Sequence, residues 1–222
     1  MSIEERELKL VPEHAEMLEE LAQIERLGPF VAAGRRHELQ HNSFFDSSAY
    51  GLERSRVAFR RRCVEGEPMA TWTIKGDARH IGGVATRSEI ELSLDADMAP
   101  AVALGALRDA ARSRGAAALA AAVDDALSSG PLVSTSFLET RTDRSIVDLE
   151  AQDYGWQVEL ALDRMDVVGH QYAEVEIEAE LKRGDEAALD AAREAIAALG
   201  PVRESEGSKL SRAAAHVAHC DC

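Results

Sequence analysis

The sequence predicts an α+β fold: antiparallel strands, arranged as an open sheet or closed into a barrel, with helices packed against them. Three observations carry this expectation. Runs of alternating polar and apolar residues recur along the chain, Ala- and Leu-rich runs of helical spacing stand between them, and turn-forming residues separate the two kinds. With 222 residues, 45% of them hydrophobic, the chain can bury a sizeable core. A single domain over residues 1–222 is expected, with a flexible tail from about residue 213.

The first strand is read in "IEERELKL", where Glu5, Glu7 and Lys9 share one face and Arg6, Leu8 and Leu10 the other. "VPEHAEMLEELAQIERLG" then places Met17, Leu18, Leu21 and Ile24 at helical spacing between Pro12 and Gly28. A polar segment, "RRHELQHNSFFDSS", leads into three strand-like runs, "SRVAFRRRCVEG", "MATWTIKGD" and "VATRSEIELSL". Ala99 to Leu127 reads as two Ala-rich helices divided near Gly115. "TSFLETRTDRSIVDLEA" and "GWQVELALDRMDVV" form a hairpin across "QDYG", "YAEVEIEAELKRGD" is a further alternating strand, and a helix over Glu186 to Leu199 precedes a polar end.

Charge narrows the function classes. A formal net charge of −15 argues against a surface that as a whole attracts nucleic acid or an anionic membrane, so an anion site must be local. Three cysteines make no disulfide framework and the start of the chain has no apolar leader, so a reducing cytoplasm is the expected location. Charged residues interrupt the longest Ala-rich stretch, which therefore cannot span a bilayer.

The distribution of charge along the strands is the most informative pattern. Arg60 and Arg62 share a face, as do Thr71, Thr73 and Lys75, and Arg87, Glu89 and Glu91. Glu174, Glu176, Glu178 and Glu180 line a strand whose other face carries Val175, Ile177, Ala179 and Leu181, and Glu159 and Asp163 also share a face. Such faces, rich in Glu and Arg and poor in neutral polar residues, predict a common interior, with helices covering the apolar outer faces of a barrel. Ions in that setting need partners or a ligand. Arginine and lysine can neutralise a chain of phosphates, while carboxylates favour hard divalent cations; the two sets together describe a metal–phosphate site.

These motifs resemble the CYTH domains, the triphosphate tunnel metalloenzymes. "EERELKL" contains an E-x-E-x-K signature, and "FFDS", "AFRRR", "WTIKG", "RSEIE", "ELALD", "EVEIEAEL" and "SKLSR" follow in the family's order. The resemblance implies an eight-stranded antiparallel barrel that binds a small-molecule triphosphate with Mg²⁺ or Mn²⁺. Within it, Lys9, Arg60, Arg62, Lys75, Arg87 and Lys209 would bind phosphate, assisted by Arg141 and Arg212. Glu5, Glu7, Glu176 and Glu178 would hold metal and act in catalysis, with Glu89, Glu91, Glu159 and Asp163 nearby. "FFDSSAY" lacks the family's leading tyrosine, and the acidic strand carries an extra alternating glutamate, so Glu174 or Glu180 competes for a metal role.

Among family activities, the glycine-containing β-strand entry, "ELKRGD" and "GSKLS" are most similar to bacterial inorganic triphosphatases. Class IV adenylyl cyclase, thiamine or nucleoside triphosphatase and a non-catalytic polyphosphate binder are the alternatives. The Ala-rich helices are read either as a homodimer surface or as packing against the barrel. His216, His219, Cys220 and Cys222 look superficially like zinc ligands but lie at a chain end, and Asp46 either orients a basic neighbour or caps a turn.

Overall fold

A computed structural model describes residues 4–81 and 84–220. Among the described residues the strands are β1 (Glu4–Pro12), β2 (Arg26–Leu27), β3 (Phe30–Phe45), β4 (Ala58–Val64), β5 (Met69–Lys75), β6 (Arg79–Ile81), β7 (Val84–Asp95), β8 (Leu138–Ala151), β9 (Trp156–Val167), β10 (Ala173–Arg183) and β11 (Val202–Glu204). The helices are α1 (Met17–Gln23), α2 (Gly51–Arg54), α3 (Pro100–Ser113), α4 (Ala117–Ser128), α5 (Ala187–Ala197) and α6 (Lys209–Cys220). Hydrogen bonding runs β1-β10-β9-β8-β3-β4-β5-β7, and β7 pairs with β1 again. The result is the closed antiparallel β-barrel with outer helices that the charge pattern predicts, with the eight strands that the family resemblance implies and β2, β6 and β11 as short additions.

Contacts divide the chain into two compact units. Unit 1 takes in Glu5, Gln40–Arg79 and Thr86–Arg141, and unit 2 takes in Arg6–Leu39, Ala85 and the chain from Thr142 onward. In unit 1, Phe45, Phe59, Trp72, Ile74 and Ile90 pack beneath Leu104, Leu107, Leu119 and Val123 of α3 and α4. Pro100 starts α3, and Gly115, at φ +88°, makes the left-handed turn that separates the two helices. Trp72 is fully buried, stacks on Phe45 and Phe59 at 5.8 and 5.6 Å, and donates its indole N–H to the Asp95 carbonyl at 3.3 Å. The charged alternate residues of β4, β5 and β7 stand on the face away from this core.

Unit 2 repeats the logic with other residues. Leu8 and Leu10 of β1 join Leu160, Leu162 and Ile177 under Leu18 and Leu21 of α1 and Leu189 and Ile196 of α5. Burying each such side chain contributes about 1.5–3 kcal/mol. Arg35 donates to the carbonyls of Ala22, Gln23 and Ile24, satisfying the end of α1, which carries no basic residue in its own last turn. α1 runs for seven residues, shorter than the Pro12-to-Gly28 pattern predicts.

Two segments differ from their sequence reading. "RRHELQHNSFF" lies within the sixteen-residue strand β3, whose middle, residues 34–43, has Leu39 as its one apolar residue for periodicity to detect. The polar end is helical through Cys220, with Ser208 and Ser211 exchanging side-chain-to-backbone bonds of 3.1 and 3.0 Å at its start. No helix among the described residues is long and apolar enough to cross a membrane.

Candidate functional site

Unit 1 carries a charged group built on β4, β5 and β7 together with Glu5 from β1. Register places Arg60 of β4 beside Thr73 of β5, Thr73 beside Glu91 of β7, and Lys75 beside Glu89. The Thr73 hydroxyl donates to Glu91 at 3.0 Å, and Arg60 lies 3.7 Å from the same carboxylate. Lys75 bonds Glu89 at 2.7 Å and Glu5 at 3.2 Å, and Arg87 donates its Nε to Glu5 at 2.7 Å. Arg62 donates to Asn42 at 3.3 Å. The Arg60 Nε is buried and has no hydrogen-bond partner among the described residues, leaving a donor in need of an acceptor.

The carboxyls of unit 1 are forced apart electrostatically. Burial pushes Glu89 up, and with Glu5 and Glu91 beside it outweighs the attraction of Lys75, taking it to about 8. Glu5 is also buried, but Lys75 and Arg87 hold it well below the usual carboxylate range. Glu5 and Glu89 thus share one proton at neutral pH. Adjacent carboxylates that retain a proton because of burial, in spite of the cations around them, suit a hard divalent cation, which would take the proton's place.

In unit 2 the carboxylates outnumber the cations. Lys9 bonds Glu7 at 3.2 Å and Glu178 at 3.1 Å. Lys209, at the first turn of α6, meets Asp163 and lies 2.9 Å from both Glu176 and Glu178. Arg212, one turn later, bonds Glu174 and Glu176 at 2.8 Å, while Ser205 donates to Glu176 at 2.6 Å. Asp163 and Glu176 are completely buried and Glu7 nearly so. Burial opposes the charge on Asp163 and Glu178, yet Arg144, Lys209 and, for Glu178, Lys9 hold both below their ordinary values.

The structure therefore gathers Glu5, Arg60, Arg62, Lys75, Arg87, Glu89 and Glu91 in unit 1, and Glu7, Lys9, Asp163, Glu176, Glu178, Lys209 and Arg212 in unit 2. Two expected residues fall elsewhere. Glu159 pairs with Arg36 and Lys182, separately from the partners of Asp163. Arg141 is exposed, because it stands on the opposite face of β8 from Thr140 and Thr142, which are buried. Glu174 faces Arg212 and Tyr172, and Glu180 faces Lys182.

Arg144 joins the charged group of unit 2, bonding Asp163 and Glu178, although the sequence reading did not single it out. Its signal was present: counting back in twos from the apolar Val147, Leu149 and Ala151 puts Arg141 on their face and Arg144 on the other. Asp46 accepts from the backbone N–H groups of Ser47, Leu52 and Glu53 at 2.6–2.9 Å, so it caps a turn. His216 packs on Tyr172 with ring centroids 4.8 Å apart. Gly82, Gly83 and Cys222, and the side chains of His80, His219 and Cys220, lie outside the described residues.

The donors of both groups are carboxylate oxygens, a set that suits Mg²⁺ or Mn²⁺ better than softer metals. As placed, the carboxylates turn to the protein's own cations, and among the described residues no three His, Cys, Asp or Glu side chains are grouped to hold a metal.

A model of the CYTH domain matches residues 4–214. Comparison with curated proteins gave no match. Among solved structures, a candidate adenylyl cyclase from Hippeastrum, HpAC1, described as revealing a dominant triphosphatase activity, superposes with a TM-score of 0.65 at 21% identity, covering 93% of each chain. A candidate adenylate cyclase from Bacillus halodurans gives 0.56 at 20% identity over 95% of this chain and 98% of that one. The PH1819 protein of Pyrococcus horikoshii OT3 gives 0.53 at 17% identity over 92% and 96%. These likenesses establish the fold that the two charged groups are built on.

Proposed function

Since the chain belongs to the CYTH domain family, we propose that it hydrolyses inorganic triphosphate to diphosphate and phosphate with Mg²⁺ or Mn²⁺. The observation that carries this reading is the cationic group of unit 1. Arg60, Arg62, Lys75 and Arg87 stand on three neighbouring strands against the carboxylates Glu5, Glu89 and Glu91, in a chain whose net charge is −15. So local an excess of positive charge, with a buried Arg60 donor left without an acceptor, suits a compact polyanion.

In this reading the guanidinium groups of Arg60 and Arg62 hold phosphoryl oxygens, and Lys75 and Arg87 offset the charge that collects on the departing diphosphate. Glu5 and Glu89 in unit 1, and Glu7, Glu176 and Glu178 in unit 2, are the carboxylates that would hold metal. A divalent ion bound there would supply charge neutralisation of the phosphate and acidification of water. A carboxylate of either group accepts the proton of the attacking water as the terminal phosphorus–oxygen bond breaks. The substrate in this reading is a free small molecule; the net charge of −15 argues against nucleic acid as a partner, and three cysteines with no disulfide framework suit a reducing cytoplasm.

A substrate panel tests the proposal. Purified protein with Mg²⁺ or Mn²⁺ is expected to release phosphate from tripolyphosphate faster than from ATP or thiamine triphosphate. Rapid formation of cyclic AMP and diphosphate from ATP, with little tripolyphosphate turnover, would instead assign it as a cyclase.

A further inference from the structure

Three arginines of unit 1 differ in what holds the Nε of the guanidinium. Arg87 Nε donates to the Glu5 carboxylate at 2.7 Å, and the buried Arg60 Nε has no hydrogen-bond partner among the described residues. Arg62 Nε donates to a neutral group, the amide oxygen of Asn42, at 3.3 Å. Register sets Asn42 and Arg62 directly across from each other on β3 and β4, as it does Phe44 and Arg60. On its other side the Asn42 amide donates Nδ2 to the hydroxyl of Thr140, on β8, at 3.4 Å. Arginine is only a donor, so the amide must turn its oxygen to Arg62 and its NH₂ to Thr140.

Asn42 and Thr140 are both buried, at 4% and 2% exposed. Burying an amide costs free energy unless its polar atoms are bonded, whereas leucine has the same branched shape and carries no such cost. What the amide adds is an acceptor held in place, bonded on one side to Thr140 and on the other to Arg62. A carboxylate there would grip the guanidinium more tightly but would cancel its charge, as Glu5 does for Arg87. The Asn42 oxygen is neutral, and the field of Arg62 reaches the rest of the group. Burial opposes the charge on Glu91, yet Arg60, a hydrogen bond with Glu89, Lys75 and Arg62 together hold that carboxyl below its ordinary value.

We infer that Asn42 is a positioning residue for the triphosphate: its neutral amide orients the Arg62 guanidinium for a phosphoryl oxygen through a bond that takes none of its positive charge. The inference rests on the proposed function for the identity of the anion, but its test is a binding measurement that needs no turnover. Because Asn42 acts through Arg62, its effect on the anion must vanish once the guanidinium is gone.

The experiment is a double-mutant cycle in the full-length protein, with tripolyphosphate affinity measured by calorimetry in metal-free buffer beside the melting curve of each variant. Arg62→Gln is expected to weaken binding about tenfold, the worth of one charge-assisted hydrogen bond. Asn42→Leu should weaken it about three- to tenfold in the wild-type background, and by about twofold or less in the Arg62→Gln background. Asn42→Asp keeps an acceptor of the same shape and adds a negative charge, so it should bind tripolyphosphate at least as weakly as Asn42→Leu while melting no lower than that variant. Unchanged affinity in Asn42→Leu overturns the assignment, because Arg62 is then indifferent to its partner. So does an equal loss in both backgrounds, which would make Asn42 a packing residue, and so does wild-type affinity in Asn42→Asp. If the leucine variant does not fold, Asn42→Ala takes its place in the cycle and the same outcomes decide. A wild type that does not bind tripolyphosphate overturns the inference together with the anion site of unit 1. One that binds tripolyphosphate but leaves it intact counts against the proposed reaction alone, and the cycle still decides the role of Asn42.

Discussion

Units 1 and 2 solve the same electrostatic problem in opposite ways. In unit 1, four cationic side chains, Arg60, Arg62, Lys75 and Arg87, meet three carboxylates, and crowding among the carboxylates is relieved by keeping a proton on Glu89. In unit 2, Lys9, Arg144, Lys209 and Arg212 meet five carboxylates, Glu7, Asp163, Glu174, Glu176 and Glu178, and ion pairs keep Asp163 and Glu178 charged despite burial. The lesson is that faces built from the same residue types can hold their buried carboxylates by a retained proton or by ion pairs, according to small changes in count and pairing. Strand β1 illustrates it over three alternate positions, giving Glu5 to one group and Glu7 and Lys9 to the other.

Breaking unit 2 should have the largest effect. Asp163 is completely buried and compensates both Arg144 and Lys209. Asp163→Asn leaves those cations with a neutral partner, a change expected to cost about 3–5 kcal/mol, since removing one member strands the rest of a buried ion pair. Chemical denaturation of the metal-free protein measures it. A loss under about 1 kcal/mol would mean that unit 2 is not held by its charges.

The pH dependence sharpens the contrast. Glu89 holds its proton in the folded chain up to about pH 8, whereas an unfolded glutamate releases it near 4.5. Across that window the folded state binds more protons, so this contribution to stability falls as pH rises. Asp163 and Glu178 are shifted the other way, and their contribution is lost as pH falls below the ordinary carboxylate range. Glu5 and Glu91 add similar acid sensitivity to unit 1, so the alkaline limb is the distinguishing one. Glu89→Gln should flatten the fall in melting temperature between pH 5 and 8.5 in metal-free buffer, an effect on the order of 1–3 kcal/mol at the upper end. An unchanged slope would remove the shared proton from the description of unit 1.

Ligand binding separates the units on a smaller scale. Arg60→Gln is expected to weaken metal-free tripolyphosphate binding about tenfold, the worth of one charge-assisted hydrogen bond. Arg212→Gln should change it less than threefold, because that guanidinium is committed to Glu174 and Glu176. The reverse order in calorimetric titrations would mean that the anion is held by unit 2.

How much of this was legible in the sequence differed between strands for one physical reason. Where a strand has a clean apolar face, as Val175, Ile177, Ala179 and Leu181 do in β10, its charged face can be read directly, and Glu176 and Glu178 fall where period-two alternation puts them. In β3, exposed along much of its length, no apolar stripe marks the strand, and "RRHELQHN" concealed an element of sixteen residues. Pairing partners were harder still. Nothing local to "ELALD" reveals that Asp163 meets Arg144 while Glu159, on the same face, meets Arg36 and Lys182, because those partners stand on other strands, β8, β3 and β10.

Strand β8 reduces the question to two arginines three residues apart. Arg141 and Arg144 cannot share a face of a regular strand, and the buried Thr140 and Thr142 lie on Arg144's side. The exposed Arg141 should accept Arg141→Ala within about 0.5 kcal/mol, as a surface substitution usually does, and without change in Mn²⁺ or tripolyphosphate affinity. Arg144→Gln, which takes a buried ion-pair partner from Asp163 and Glu178, is expected to cost about 3–5 kcal/mol in denaturation of the metal-free protein. Equal behaviour of the two variants would mean that alternation along β8 does not sort these side chains, and the difference between a surface charge and a buried ion-pair partner would fail with it.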